Sequence, residues 1–212
     1  SWAETPPIHG VIFSNELLDA FPVHRYVRNP DGWHEQAVET ADGELGWTTV
    51  PADCPLSLPA ELTAHLPDEY IHEHSPAASD WWTEASKALK RGWLLTCDYG
   101  ATQDELLTRT TGTLRAYRNH AHAENPLADP GDQDLTAHVN WSAIQQTGEK
   151  TGLHTEALIS QARFLTQILE QAASAIPDQW QLAGKQIRQF QMLTHPEHLG
   201  RKFQVLIQSR SV

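Results

Sequence analysis

The stretch GVIFSNELLDAFP, residues 10–22, decides the fold. Its apolar run from Val11 to Ser14 predicts a strand buried on both faces, the type that parallel sheets contain. A second run, WLLTC at residues 93–97, also ends in polar residues, with DYG at 98–100. Because ligands of α/β sheets gather at the carboxyl ends of the strands, the two runs predict an α/β sheet with a site at that edge.

The first strand is followed at once by an amide and two acids, Asn15, Glu16 and Asp19. If residues 16–20 form a helical turn, the two carboxylates lie on one face and can bracket a guanidinium or ammonium group. A second interpretation is a plain helix N-terminus, with Asn15 as the cap and the acids favoured by the helix dipole. From the residues alone, the two interpretations stay equally open.

Residues 22–75 consist of short runs separated by turn residues and are interpreted as an insertion that projects from the main sheet. The turn sequence NPDG at 29–32 and the dipeptide Asp42-Gly43 separate three short runs of strand-forming residues. Turn residues at these positions are typical of hairpins, so we predict a small antiparallel meander. Residues 51–75 are rich in proline, and we expect them to be irregular.

The rest of the chain predicts two helices and two strands. Ser75-Pro76 begins a helix over 76–91 that ends in a cationic turn and Gly92. Apolar residues at helical spacing predict an amphipathic helix over 161–175, which Pro177 ends. Residues 153–160 and 203–208 are predicted strands.

Charge and composition exclude several classes of protein. The chain has 15 Lys and Arg against 27 Asp and Glu, a formal net charge of −12, so no basic stripe for nucleic acid is expected. No apolar run approaches the ~20 residues of a membrane span. Cys54 and Cys97 have no CxxC spacing, which favours a bacterial-type cytoplasm or another reducing compartment.

Several chemical motifs are absent from the sequence. The glycines form no GxG, GxGxxG or GxxxxGK[ST], and there is no GxSxG elbow. The 12 histidines include no HExxH, so we expect no metal site. Residues 112–138 are rich in hydrogen-bonding groups and predict a loop that covers a site.

Five segments in order resemble the MidA family of S-adenosylmethionine-dependent methyltransferases, whose mitochondrial members act as complex I assembly factors and protein arginine methyltransferases. The segments are GVIFSNELLDAFPVHRY (10–26), LLTCDYG (94–100), GTLRAYRNHAHAENPLADPGDQDLTAHVNWSAI (112–144), SQARFL (160–165) and HPEHLGRKFQVLIQ (195–208). The resemblance implies a class I, Rossmann-like methyltransferase sheet with an antiparallel last strand. It also implies S-adenosyl-L-methionine as the cofactor and methyl transfer to a protein side chain.

The resemblance also implies a departure from the family. There, a glycine-rich loop and an acidic residue that hold the cofactor precede the NELLDA segment, which here begins at residue 15. We therefore expect residues 1–212 to be the C-terminal portion of such a domain, a partial sheet that lacks its first three strands. Such a chain should bind the cofactor weakly or not at all. It should also leave a sheet edge bare, through which it can form a homo-oligomer.

With the resemblance, the candidate catalytic residues are Asn15, Glu16 and Asp19. The candidate substrate contacts are Tyr99, Arg115, Tyr117, His120, Asp134 and His138. The expected partner is a protein substrate, which the acidic charge favours to be basic. Two other functions stay open: a non-catalytic binding or assembly module, and a metal-dependent hydrolase that uses the histidines.

Overall fold

The structure, a computed structural model, describes residues 2–56, 63, 65–119, 121–175, 184–197 and 199–211. Its strands are β1 (Ile8–Asn15), β2 (His24–Asn29), β3 (Gly32–Ala41), β4 (Glu44–Pro51), β5 (Ile71–His74), β6 (Leu89–Ala101), β7 (Arg115–Arg118), β8 (Ala121–Ala123), β9 (Asp134–Thr136), β10 (Val139–Asn140), β11 (His154–Ser160) and β12 (Phe203–Arg210). Its helices are α1 (Pro76–Ala88), α2 (Gln103–Leu107), α3 (Trp141–Lys150), α4 (Gln161–Ala175) and α5 (Gly184–Thr194).

The chain divides into two compact units. The first comprises residues 1–17, 81–100 and 143–212, and the second comprises 18–80 and 101–142. The first unit contains a mixed sheet with the strand order β1-β6-β12-β11. β1 runs parallel to β6, whereas β12 is antiparallel to both β6 and β11. The predicted α/β sheet, its two parallel strands and the antiparallel last strand are confirmed.

The prediction that β1 is buried on both faces is wrong. Ile12 and Ser14 are buried, but Val11 and Phe13 are 58% and 59% exposed. Trp93, the register partner of Val11 on β6, is 50% exposed. Parallel strands are buried on both faces only where other elements cover both faces, and the described residues of this unit cover one face of β1.

The neighbouring strands β6 and β12 of the same sheet contribute to a hydrophobic core. Cys97, Phe203 and Val205 form a buried cluster, against which Phe164 of α4 packs. The helix predicted at 161–175 is therefore confirmed, and its apolar face covers β11 and β12. Pro177, predicted to end it, lies outside the described residues.

Helix α1 begins where the sequence predicts, because the Ser75 hydroxyl accepts a hydrogen bond from the Ala78 amide at 3.3 Å. Its predicted end is wrong, since the helix stops at Ala88 and β6 starts at Leu89. Gly92 is not a helix stop but a strand residue, with a φ of +124° that favours glycine.

The second unit contains the predicted meander, β2-β3-β4, and the prediction is confirmed. Asn29 pairs with Gly32 across the first turn, and Asp42 and Gly43 both adopt positive φ, as a two-residue hairpin turn requires. β5 adds a fourth strand, antiparallel to β2, so residues 71–74 are not irregular as predicted.

Residues 112–138 are more ordered than the predicted loop. β7 pairs with β8 on one side and with β9 on the other, forming a small antiparallel sheet within the second unit. Helices α2, α3 and α5 had no prediction. α2 starts with a capping box in which Thr102 and Glu105 bond reciprocally. No helix in the described part of the chain is long and apolar enough to cross a membrane.

Candidate functional site

The first group of candidate residues lies at the carboxyl end of β1, in the first unit. Asn15 is the last residue in register with β6, opposite Cys97, and the Glu16 amide donates to the Cys97 carbonyl at 3.0 Å. Glu16 then bends the chain with a φ of +48°, and residues 16–20 are not helical. The predicted helical turn is therefore wrong, because the ladder to β6 extends to the Glu16 amide and the chain turns there.

The side chains of Asn15 and Glu16 form a polar pair at this strand end. The Asn15 amide nitrogen donates to Glu16 Oε1 at 3.1 Å, and both residues are exposed. An amide oxygen and a carboxylate accept N–H groups, and a carboxylate binds a guanidinium through charge-assisted hydrogen bonds. The pair can thus receive a cationic side chain.

Asp98, within β6, holds the backbone of this turn. Its side chain is fully buried. One carboxylate oxygen accepts the Leu17 amide at 3.1 Å, and the other accepts the Tyr99 amide at 2.9 Å. Asp98 was not among the predicted site residues, although its position directly after the apolar run 93–97 and beside Tyr99 was the available signal.

Tyr99, a predicted substrate contact, packs its ring into the sheet core. The ring meets Phe203 edge to face, with 5.5 Å between centroids. Tyr99 is half-buried and lies against the cluster around Cys97. Its ring therefore contributes to packing in the first unit.

Cys97 is not an activated nucleophile. Burial raises the pKa of its thiol to about 11, and the nearby carboxylates of Asp98 and Glu16 act in the same direction. The thiol donates to Gln161 Oε1 at 3.0 Å. A neutral, hydrogen-bonded thiol of this kind is a structural feature.

Asp19 belongs to the second unit, whereas Glu16 belongs to the first. The Asp19 side chain is buried, with 5% exposure, and its carbonyl accepts the Ala137 amide at 3.0 Å. Glu16 is exposed. The conditional prediction that the two carboxylates share one face of a helical turn is wrong, because residues 16–20 are not helical.

The second unit has its own polar centre at Glu73 of β5. Its carboxylate accepts the Thr113 amide at 2.6 Å, the Thr113 hydroxyl at 2.5 Å and the Leu114 amide at 2.9 Å. Arg25 donates its Nε to the same carboxylate at 3.2 Å. These bonds fix the segment that enters β7. Sequence reasoning missed Glu73, because its partners lie about forty residues away.

Three predicted contact residues lie on the small sheet that follows. Tyr117 of β7 is opposite Asp134 of β9, and both are exposed. The Tyr117 ring packs edge to face against His122, with 6.0 Å between centroids. Arg115, also exposed, donates to the Leu114 carbonyl at 2.7 Å. The structure thus brings Arg115, Tyr117 and Asp134 onto one sheet of the second unit.

His138 lies in the same unit, between β9 and β10. Its amide donates to the Thr113 hydroxyl at 2.9 Å, and its ring Nδ1 lies 2.9 Å from an Arg109 nitrogen. Burial, together with the positive charge of Arg109, lowers the pKa of His138 to about 4, so the ring is neutral at pH 7. His120, the remaining predicted contact, lies outside the described residues.

The histidines of the described residues form no metal site. No group of three or more His, Cys, Asp or Glu side chains that could hold a metal ion occurs among them.

Comparison with known proteins identifies the family. Residues 1–159 match the model of a family described as "Putative S-adenosyl-L-methionine-dependent methyltransferase". The chain belongs to this methyltransferase family. It is 27% identical to a Drosophila melanogaster protein named protein arginine methyltransferase NDUFAF7 homolog, mitochondrial, over 96% of this chain and 48% of that protein. The Mus musculus protein of the corresponding name is 26% identical, over 94% of this chain and 46% of that protein.

A solved structure gives the same result for the methyltransferase fold. A Burkholderia thailandensis protein bound to S-adenosyl-homocysteine superposes with a TM-score of 0.81 at 29% identity. The match covers 98% of this chain and 55% of that one. The chain thus spans about half the length of the methyltransferase relatives that it matches.

S-adenosyl-L-methionine is the cofactor of this methyltransferase family. The cofactor needs a place where backbone approaches it closely, which glycine usually supplies. In the first unit, Gly10 and Gly92 have positive φ but face each other in paired strands. A Cβ on Gly92 would lie 1.8 Å from the Gly10 carbonyl oxygen. These two glycines therefore allow the close pairing of β1 and β6.

Proposed function

We propose that the chain is the substrate-side part of an S-adenosylmethionine-dependent protein arginine methyltransferase, inactive without a cofactor-binding half. One observation carries the proposal: the exposed pair Asn15 and Glu16 stands at the carboxyl end of β1, in a chain that matches the family model over residues 1–159. The names of the relatives support arginine as the methylated side chain. Under this proposal, the partial sheet lacks the first three strands of the class I fold.

The chemistry required of these residues is mostly positional. An arginine side chain keeps its proton in proteins, so the enzyme must orient one guanidinium nitrogen and localise its lone pair. The Glu16 carboxylate accepts two N–H groups of the guanidinium and draws its positive charge to one side. The Asn15 amide oxygen accepts a further N–H and restricts rotation.

The remaining predicted residues keep proposed roles as contacts to the protein substrate. Tyr117 and Asp134 are exposed on the small sheet of the second unit, where they are accessible to a polypeptide. Arg115 is exposed beside them. Asp19 is buried and His138 is half-buried, and we propose that both support these contacts within the second unit, whereas Tyr99, half-buried in the first unit, stays a proposed substrate contact.

The proposal predicts weak or absent binding of S-adenosyl-L-methionine by the 212-residue chain. Isothermal titration calorimetry with this chain tests it directly. No measurable heat of binding is expected, because the glycines of the sequence form no GxG or GxGxxG motif with which the backbone could approach the cofactor. Micromolar affinity for the chain by itself would contradict the claim that a separate half holds the cofactor.

Turnover by a protein in which this chain is joined to a cofactor-binding half tests the role of Glu16. We expect E16Q to reduce methyl transfer to an arginine peptide by about two orders of magnitude or more, since a positioned charged group contributes that much to a rate. E39Q, which neutralises another exposed glutamate on β3, is the matched control and should leave turnover unchanged. Equal turnover of E16Q and wild type would remove Glu16 from the mechanism.

A non-catalytic binding or assembly module is the second candidate, and one observation favours it. Val11, Phe13 and Trp93 expose apolar side chains on one face of β1 and β6, and β1 is the end strand of its sheet. Unpaired strand edges and exposed apolar faces bind other chains, so we propose that this edge forms a homo-oligomer or receives a partner. Light scattering after size exclusion should show a dimer that Val11→Lys converts to monomer. A wild-type monomer would contradict self-association at this edge.

A further inference from the structure

Glu16 adopts a backbone conformation that a residue with a side chain avoids. Its φ of +48° lies in the left-handed region, where the Cβ crowds the following carbonyl. Such a conformation persists only where surrounding contacts impose it, and such residues are frequent at functional sites. The contacts that impose it here are two hydrogen bonds to β6.

Both amides that flank the bend are held by consecutive residues of β6. The Glu16 amide donates to the Cys97 carbonyl at 3.0 Å, which is the last bond of the strand ladder. The Leu17 amide donates to Asp98 Oδ2 at 3.1 Å, which is not a ladder bond but a bond to a side chain. Asp98 therefore keeps the Leu17 amide bonded to β6 where the ladder has ended and the chain turns away.

The Asp98 carboxylate is itself fixed in place. Its other oxygen accepts the Tyr99 amide at 2.9 Å, and the residue has no exposed surface. Its strand lies between β1 and β12 in the centre of the sheet. A buried carboxylate with defined bonds has little freedom, so it can hold the turn in one conformation.

Two carboxylates at this strand end thus have different environments. Both lie close enough to the Cys97 thiol to raise its pKa, yet Asp98 is buried and Glu16 is exposed. We propose that Asp98 is the positioning residue of the turn at Asn15–Leu17, and that it acts through the Leu17 amide to present the Glu16 carboxylate to a cationic group. The identity of that group as an arginine side chain rests on the proposed function.

Nuclear magnetic resonance on the 212-residue chain tests the positioning. In the wild type, the Leu17 amide should exchange slowly with solvent, and the Cα and Cβ shifts of Glu16 should report positive φ. Exchange of Leu17 at the rate of an unfolded peptide would overturn the inference without any variant. Asp98→Asn keeps the shape but places an NH2 group where an oxygen accepted an amide. It should accelerate Leu17 exchange about tenfold or more and move the Glu16 shifts toward negative φ.

Thr96→Val is the matched control for D98N. Thr96 is also buried on β6 and accepts a hydrogen bond from the Ser14 hydroxyl at 2.8 Å, but it has no bond to the turn. The T96V variant loses one side-chain bond between β1 and β6 but keeps both hydrogen bonds of the turn. The exchange rate of the Leu17 amide, divided by that of a core amide, should therefore stay within about twofold of wild type. If D98N leaves the Glu16 shifts unchanged, or if T96V changes them equally, Asp98 does not position the turn.

Turnover of the chain joined to a cofactor-binding half connects the turn to the reaction. D98N should lower kcat strongly and leave the KM for S-adenosyl-L-methionine unchanged, whereas T96V should change neither. Wild-type protein that transfers no methyl group would refute the proposed function, while the resonance measurements still decide the positioning. Wild-type kcat in a D98N protein with displaced Glu16 shifts would overturn the presenting role of the turn.

Discussion

Replacement of the buried Glu73 by Gln should destabilise the protein far more than replacement of an exposed glutamate such as Glu35. The Glu73 side chain is 8% exposed, and its partner Arg25 is 13% exposed. Four donors converge on the carboxylate: the Arg25 Nε, the amides of Thr113 and Leu114, and the Thr113 hydroxyl. Gln has one acceptor oxygen, and its NH2 group would face donors that then have no acceptor.

The magnitude follows from these contacts. Removal of one partner of a buried ion pair typically costs about 3–5 kcal/mol, because the other charge stays buried without compensation. Arg25 is such a charge: burial lowers its pKa more than Glu73 raises it. Its guanidinium keeps bonds to Gln36 and to the Thr111 carbonyl, which should reduce the cost. We therefore expect E73Q to lower the free energy of unfolding by about 3 kcal/mol.

Urea unfolding followed by tryptophan fluorescence measures this cost, with Glu35→Gln as the matched control. Glu35 also pairs across the meander, with His24 at 2.5 Å, but the two side chains are 31% and 50% exposed. An exposed pair contributes about 0–1 kcal/mol, so E35Q should change the midpoint little. A cost below about 1 kcal/mol for E73Q, or equal costs for both variants, would refute the argument that burial makes Glu73 important.

Three further predictions concern stability. Burial lowers the pKa of His72 to about 4, below its unfolded value near 6.5. The neutral, buried His72 therefore contributes fully to the free energy of unfolding above pH 6.5, and this contribution is lost as the pH falls toward 4. Unfolding at several pH values should show that His72→Gln removes up to about 3 kcal/mol of this dependence. Gly92→Ala should cost about 2 kcal/mol or more in thermal unfolding, since its Cβ would meet the Gly10 carbonyl and its φ is +124°. Gln208→Leu should cost about 1–3 kcal/mol by urea unfolding, because the indole N–H of the fully buried Trp82, 2.8 Å from its Oε1, would lose its acceptor. An unchanged pH dependence, or wild-type stability of G92A or Q208L, would contradict the respective prediction.

The features that the sequence predicted correctly are those that neighbouring residues determine. Asp42-Gly43 forms a hairpin turn because both residues tolerate positive φ, and Ser75 caps α1 because its hydroxyl reaches an amide three residues on. The apolar runs of β1 and β6 predicted parallel strands for the same local reason. These signals need no knowledge of what packs against them.

The features that escaped prediction depend on distant partners. β5 is only four residues long, and its Glu73 is recognisable only through the segment about forty residues later that it bonds. The exposure of Val11 and Phe13 depends on which elements cover β1, which an apolar run does not reveal. The helical turn at residues 16–20 was a reasonable local expectation, but the ladder to β6 prevails over it.

At the end of β1, the sequence motif indicates the exposed acceptors but not the distant residue that holds their backbone. The letters NE after an apolar run indicate acceptors at a strand end, and the structure places Asn15 and Glu16 there, exposed and bonded to each other. A flexible carboxylate binds a cation weakly, since the ordering of its backbone costs conformational entropy on binding. Asp98, which lies 81 residues after Leu17, fixes that backbone before any cation arrives. Under the proposed function, the exposed Glu16 therefore binds the cation, and the buried Asp98 determines the geometry with which Glu16 is presented.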